Sequence, residues 1–111
     1  GDAVAAQLRR GALEFCVLAL LERRERYGFE LVRILGSTDG MVTSEGTVYP
    51  LLSRLRKSGR LTTTWRESAE GPPRKYYSIT DQGRAALAAF RDEWMRFRSA
   101  VDALLVEGGH P

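Results

Sequence analysis

The sequence predicts a mainly α-helical domain with a small β-ribbon, arranged as a winged helix-turn-helix followed by one C-terminal helix. Three observations predict this fold. Hydrophobic residues recur at helical spacing in three segments between residues 12 and 59. The period then changes to that of strands in residues 61–68 and 75–79. A long helical pattern returns from Thr80 to about Val106.

The first two predicted helices build the core. Residues 12–24 are apolar on nearly every side, which is typical of a central helix. Residues 26–37 place Leu31, Ile34 and Leu35 on one stripe before the pattern ends at Gly36. The short connection over residues 37–44 is typical of the turn in a helix-turn-helix.

The third predicted helix covers residues 44–59, with Ser44 as its N-cap and Gly59 as its C-terminal stop. Gly46 and Pro50 are both unfavourable inside a helix, and a rotation of 100° per residue puts them on the face opposite the core. The core-facing stripe has i, i+3, i+4, i+7 spacing and consists of Val48, Leu51, Leu52 and Leu55.

The outer face of this helix has the residue types of a DNA-reading surface. Small residues let a backbone approach a duplex, while hydroxyls and cations can hydrogen-bond phosphates or base edges. Alternatively, Gly46 and Pro50 only shape the entry of the helix, and both interpretations stay open. The candidate DNA-binding residues on this helix are Ser44, Thr47, Tyr49, Pro50, Ser53, Arg54 and Lys57.

The two predicted strands form the wing. Residues 69–74 between them are rich in turn formers and contain two prolines, so we expect a loop too long for a two-residue hairpin. Arg74 and Lys75 stand on this stiffened loop, where they suit a flanking phosphate or the minor groove. They complete the set of candidate DNA-binding residues.

Positive charge is concentrated in the same region. The chain of 111 residues has a net charge of +3. Between Ser44 and Tyr76 there are seven basic and three acidic residues, which leaves +4 there and −1 in the remainder. A merely solvated surface would spread the charge more evenly, so the distribution favours a polyanionic partner.

The fourth predicted helix carries a heptad seam that predicts dimerisation. A helix packing on its own domain uses similar residues, but so small a core leaves little surface for three large aromatic side chains. We therefore expect a homodimer whose two-fold axis sets DNA half-sites about ten base pairs apart. The predicted interface residues are Leu87, Phe90, Trp94, Phe97, Val101 and Leu104.

The sequence lacks the residues that a metal site, an enzyme active site or a membrane span would need. One histidine and one cysteine leave no cluster of metal ligands, and Cys16 lies in the apolar first helix, where we expect it in the core. Without an internal histidine, a nucleophile–base set would need unusual lysine or tyrosine chemistry, so we expect no enzyme, no metal and no cofactor. The longest apolar run, residues 15–21, is too short for a membrane span, and no secretory signal is recognisable. We therefore expect a cytoplasmic protein with no membrane partner.

Three stretches resemble the PadR-type transcriptional regulators of the short-tailed branch: RGALEFCVLALLERRERYGFEL, EGTVYPLLSRLRKSGRL and GPPRKYYSITDQGR. The resemblance covers most of residues 9–84. It implies a dimer that binds a pseudo-palindromic operator, usually as a repressor released by a small molecule or another signal. On the family's pattern Tyr49, Arg74 and Lys75 face DNA. We divide the chain into a DNA-binding domain (1–79), a dimerisation helix (80–106) and a disordered tail (107–111).

Trp94 carries a further implication of this resemblance. In short-tailed members that bind flat aromatic drugs, a tryptophan of the C-terminal helix lines a pocket at the dimer interface, and Trp94 is similar in position. A pair of tryptophans across the two-fold axis could stack on a planar effector. The alternative is that Trp94 is simply part of the interface core.

A rival interpretation of the whole chain is a winged-helix protein–protein interaction module that does not bind DNA. Such a module would lack the steep salt dependence of a protein that neutralises several phosphates.

Overall fold

Within residues 2–41 and 43–106, which the computed structural model describes, the chain forms five helices and three strands. Asp2 is described by its backbone alone, and the predicted tail at residues 107–111 lies outside this range. The elements are α1 (Asp2–Arg9), α2 (Leu13–Arg23), β1 (Arg26–Tyr27), α3 (Gly28–Ser37), α4 (Glu45–Lys57), β2 (Leu61–Ser68), β3 (Gly71–Ile79) and α5 (Asp81–Leu105). The predicted winged helix-turn-helix is confirmed.

Helices α2, α3 and α4 share one hydrophobic core. Leu18 of α2, Leu31 of α3 and Leu52 of α4 are all completely buried. Every residue of the predicted α4 stripe is also buried. The three helices agree with the predicted segments to within two residues at each end, because each apolar stripe faces a core that the chain itself provides.

The sheet has the order β1-β3-β2, with antiparallel pairing throughout. Ser68 pairs with Gly71, so β2 and β3 are joined by a two-residue turn, and the prediction of a long loop was wrong. Pro72 and Pro73 lie inside β3. Strand β1 pairs with β3 only at Tyr76 and Tyr77, so the two prolines lie on a part of β3 whose other edge has no β1 partner. The pairing with β2 is also irregular nearby. Proline is tolerated at such positions because no ladder hydrogen bond is lost there.

Two elements were not predicted. Helix α1 has two large apolar residues, Val4 and Leu8, and both are exposed, so no stripe ties it to the core. Strand β1 occupies the start of the predicted second helix and forms because Arg26 and Tyr27 pair with β3. A two-residue strand has no period that sequence analysis can detect.

The first turns of α5 belong to the winged-helix core. Thr80 caps the helix: its hydroxyl accepts a hydrogen bond from the Gly83 amide at 3.0 Å and donates one to the Gly59 carbonyl at 2.6 Å. The Gly83 backbone lies against the Arg60 carbonyl, and a Cβ at this position would clash with it. Leu87 is only 2% exposed. The prediction that Leu87 lies at a dimer interface was therefore wrong, because its own chain covers it.

In the described part of the chain, no helix combines the length and the apolar character needed to span a bilayer.

Candidate nucleic-acid interface

Helix α4 presents all seven of its predicted DNA-binding residues to solvent. Ser44 is the N-cap residue, as predicted, and its carbonyl accepts hydrogen bonds from the amides of Thr47 and Val48 at 3.0 Å. Its side chain makes no capping hydrogen bond within the described residues. The Ser44 hydroxyl is consequently available to a ligand at the N-terminus of this helix.

Gly46 and Pro50 are exposed on the same face of α4. Pro50 has no amide hydrogen, so the Gly46 carbonyl one turn earlier lacks its helical donor. A Cβ built on Gly46 would meet only the Ser44 hydroxyl oxygen, at 3.7 Å, among the described residues. Neither packing nor a positive φ therefore requires glycine at this position.

Tyr49 lies on the side of α4 that faces the wing. Its ring packs against the backbone of Gly28, and 40% of the residue stays exposed. Burial raises the pKa of its hydroxyl, and the nearby Glu45 carboxylate raises it further, so the group remains a hydrogen-bond donor at neutral pH. Tyr49 borders a cleft of about 370 Å³, which we call the aromatic cleft, together with Tyr27, Phe29, Trp65, Arg74, Lys75 and Tyr77.

The two wing cations are held by aromatic rings. The Arg74 guanidinium lies over the ring of Tyr27, 4.5 Å from its centroid. The Lys75 ammonium lies 6.0 Å from the ring centroid of Trp65 and 5.8 Å from that of Tyr77. These distances are within the range of cation–π attraction, which limits how far each side chain can move. Arg74 is exposed, whereas Lys75 is half-buried.

The cations among the predicted DNA-binding residues have no counter-ion in the part of the chain that the structure describes. Among the described residues, no carboxylate pairs with Arg54, Lys57, Arg74 or Lys75. Arg66 on β2 differs, because it is paired with Glu25. The unpaired cations thus flank α4 on the exposed face and on the wing, where an external anion can reach them.

A second cleft lies beside α4 and was not predicted. The turn between α1 and α2 brings Arg9 and Arg10 to a cleft of about 300 Å³ that is also lined by Thr43, Thr47 and Arg54. We call it the arginine cleft. The two adjacent arginines are visible in the sequence, but nothing in their spacing shows that they face α4. Tyr27 and Phe29 of the aromatic cleft were missed for the same reason.

The second half of α5 presents an exposed apolar face. Phe90 is half-buried and stacks on Phe15 with 4.1 Å between ring centroids. Trp94, Phe97 and Leu104 follow along the predicted seam and are 41%, 63% and 75% exposed. Val101, the remaining seam residue, is half-buried. This face continues onto α1, where Leu8 is exposed.

Trp94 also borders a mainly apolar cavity of about 240 Å³ with Leu8, Arg9, Ala12, Cys16, Met41 and Phe90. Cys16 was predicted to lie in the core; it is half-buried and packs against the core, and burial raises the pKa of its thiol. The thiol is therefore protonated at neutral pH and is a weak nucleophile.

The sequence profile of the Transcriptional regulator PadR-like family matches residues 17–89, which include most of α2, the helix-turn-helix, the ribbon and the start of α5. The chain belongs to this family. The resemblance inferred from the sequence is thus confirmed, and the PadR-like family consists of transcriptional regulators rather than enzymes.

Individual relatives agree with this assignment. The chain is 30% identical over 107 residues to an uncharacterized protein of Lysinibacillus sphaericus, covering 95% of this chain and 97% of the relative. It is 35% identical over 85 residues to the transcriptional regulator Rv3488 of Mycobacterium tuberculosis, covering 77% and 78%. The crystal structure of a PadR family regulator from Eggerthella lenta superimposes with a TM-score of 0.82 at 36% identity, covering 94% of this chain and 90% of the other.

Proposed function

We propose that this PadR-family protein is a homodimeric repressor that binds a pseudo-palindromic DNA operator and releases it in response to a small aromatic effector. The observation that carries the proposal is the exposed face of α4, bordered by wing cations that have no carboxylate partner within the described chain.

In this proposal α4 enters the major groove. Thr47, Ser53 and Arg54 face base edges or phosphates, and the small residues at the N-terminal half of the helix permit close approach. Arg74 and Lys75 bind the flanking backbone or the minor groove from the wing. Their aromatic contacts support this role, because a side chain already restrained loses less conformational entropy on binding.

The proposed dimer forms along the exposed part of α5. Trp94, Phe97 and Leu104 repeat at heptad spacing and expose a contiguous apolar face that is unusual for a free helix in water. A second copy of the same helix matches the face in both length and pattern. Trp94 would stack on a planar effector at or beside this interface.

A gel-shift experiment tests the DNA-binding proposal. The probe is a duplex from the protein's own upstream region, measured at 50 mM and 200 mM salt beside a scrambled duplex of equal length. We expect affinity to fall by about 1000-fold between the two salt concentrations if about six phosphates are neutralised. K57A and R74A should weaken binding about tenfold each, whereas R96A should not. Arg96 is a matched control because it lies on α5, exposed and paired with Glu93.

The same experiment separates the rival function. A winged-helix module that binds another protein would leave the upstream duplex unshifted at both salt concentrations, with K57A and R74A silent. Footprinting should show two protected half-sites about ten base pairs apart. A single undivided half-site would contradict the dimer. Transcription from the bound promoter in vitro should fall as protein is added, and a rise would identify an activator instead.

Sedimentation tests the dimer directly. F97D places a carboxylate in the middle of the proposed seam, and we expect the dissociation constant of the dimer to rise at least 100-fold, which is about 3 kcal/mol. R96A alters a side chain outside the seam, 100° around the helix from Phe97, and should stay dimeric. Equal dimer fractions for F97D and the parent protein would exclude α5 as the interface.

A further inference from the structure

The arginine cleft lies on the flank of α4 opposite the wing. Tyr49, on one flank, borders the aromatic cleft with Arg74 and Lys75. Thr47 and Arg54, seven residues apart and therefore on one side of the helix, border the arginine cleft on the other flank. Helix α4 thus has cations on both sides.

The charge of the arginine cleft is strongly positive. Arg9, Arg10 and Arg54 line it, and no carboxylate pairs with any of them within the described residues. Glu14 also lines the cleft, but its carboxylate accepts a hydrogen bond from Arg60, 3.3 Å from Oε2 to Nη1. The hydroxyls of Thr43 and Thr47 add neutral donors at the same rim.

This arrangement matches the surroundings of a helix in the major groove. The groove is about 12 Å wide and is bordered by one phosphate backbone on each side. A reading helix with cations on one flank can bind one backbone, and cations on both flanks allow it to bind both. Arginine forks suit phosphate oxygens, because they can donate two parallel hydrogen bonds.

We propose that Arg9 and Arg10 bind the phosphodiester backbone on the side of the major groove opposite the wing. The inference rests on the proposed DNA-binding function and adds the α1–α2 turn to it as a third contact element. Arg54 connects the α1–α2 turn to α4, because it lines the arginine cleft and also lies on the exposed side of α4. The contact carries no sequence information itself; it fixes the depth and orientation of α4.

Fluorescence anisotropy with the full chain tests this proposal. The probes are the labelled upstream duplex and a labelled random duplex of equal length, each titrated over a series of salt concentrations. For R9Q/R10Q we expect a loss of about tenfold or more on both duplexes alike, and a salt dependence shallower by about two phosphates. R9K/R10K should retain most of the affinity, because lysine keeps the charge at the phosphate. R96Q is the matched control and should behave like the parent protein.

Several outcomes would overturn the inference. R9Q/R10Q could match the parent in affinity and salt dependence, or R9K/R10K could lose as much as the glutamine variant, which would indicate a structural role. A loss confined to the upstream duplex would indicate base reading rather than backbone contact. If R9Q/R10Q does not fold, R10Q alone alters an exposed residue and should flatten the salt dependence by about one phosphate. Failure of the parent protein to bind either duplex would instead overturn the proposed function, and this inference with it.

Discussion

The ring of Tyr49 lies so close to the backbone of Gly28 that a Cβ placed on this glycine would be 2.5 Å from the ring carbon Cε1. The contact joins the start of α3 to the exposed side of α4. Tyr49 also borders the aromatic cleft with Trp65 and Arg74. The first residue of α3 therefore sets the position of a side chain proposed to face DNA.

Replacing Gly28 by alanine should displace the Tyr49 ring. Because Tyr49 is 40% exposed, its side chain can swing outwards, so we expect a loss of about 1 kcal/mol in the free energy of unfolding. The larger effect should be on DNA affinity, with a loss of about tenfold. Urea unfolding and anisotropy measure the two quantities.

Gly36 provides the matched control for this substitution. It lies in the same helix, and among the described residues the nearest atom to a Cβ there is the Thr43 carbonyl oxygen at 3.9 Å, so G36A should leave both quantities nearly unchanged or slightly raise stability. In a double-mutant cycle, G28A should cost less affinity in a Y49A background. Full additivity would show that the ring contact is not the cause.

Replacing Gly83 by alanine should be much more damaging to stability. The new methyl group would meet the Arg60 carbonyl, which is backbone and cannot swing away, and it would also lie 2.8 Å from Cγ1 of Ile79. We expect a loss of about 3 kcal/mol in the free energy of unfolding, measured by urea denaturation beside G36A. Unchanged stability in G83A would refute the close packing of α5 on the base of the wing.

Replacing Gly46 by alanine separates the two interpretations of this residue. Nothing in the described chain obstructs a Cβ there, so alanine should raise helix stability by about 0.5–1 kcal/mol. If the glycine serves close approach to the duplex, DNA affinity should fall although the fold is more stable. A more stable protein with unchanged affinity would assign Gly46 to the helix alone.

Binding of planar aromatic compounds should quench the fluorescence of Trp94. Trp94 is 41% exposed beside the apolar cavity, and stacking on a ligand would bury it further. The measurement uses a W65F background, because Trp65 is also exposed and would obscure the signal. Quenching that persists in W65F/W94A would come from elsewhere, and a W65F protein that shows no quenching would leave Trp94 as interface core.

The sequence predicted α2, α3 and α4 well because their apolar stripes face a core within the same chain. It failed where structure depends on pairing between distant segments. Strand β1 exists only because β3 lies beside it, and Pro72 and Pro73 were misassigned because the free edge of β3 is not visible in the sequence. The heptad of α5 predicted a long helix, but the same spacing fits burial within the domain, and Leu87 is buried there.

The candidate site also has a part that could be predicted from the sequence and a part that could not. Helical geometry alone identified the exposed face of α4, since the faces of one helix follow from residue spacing. The two clefts could not be predicted, because each joins segments far apart in the chain. Arg9 and Arg54 meet at the arginine cleft although 44 residues separate them in the sequence. No local pattern indicates such a meeting.

Helix α5 has a mechanical consequence for the proposed dimer. It is 25 residues long, about 37 Å, and Thr80 and Gly83 fix its first turn to Gly59 and Arg60 just beyond the end of α4. The helix therefore acts as a stiff lever that carries α4 at its N-terminal end and the proposed dimer contacts along its C-terminal half. A change of about 5° in the angle between two such levers would change the separation of the two α4 helices by about 3 Å, close to the rise of one base pair. In the proposed dimer, a molecule bound near the C-terminal end of α5 could thus move the two α4 helices out of register with the DNA half-sites without contacting either helix.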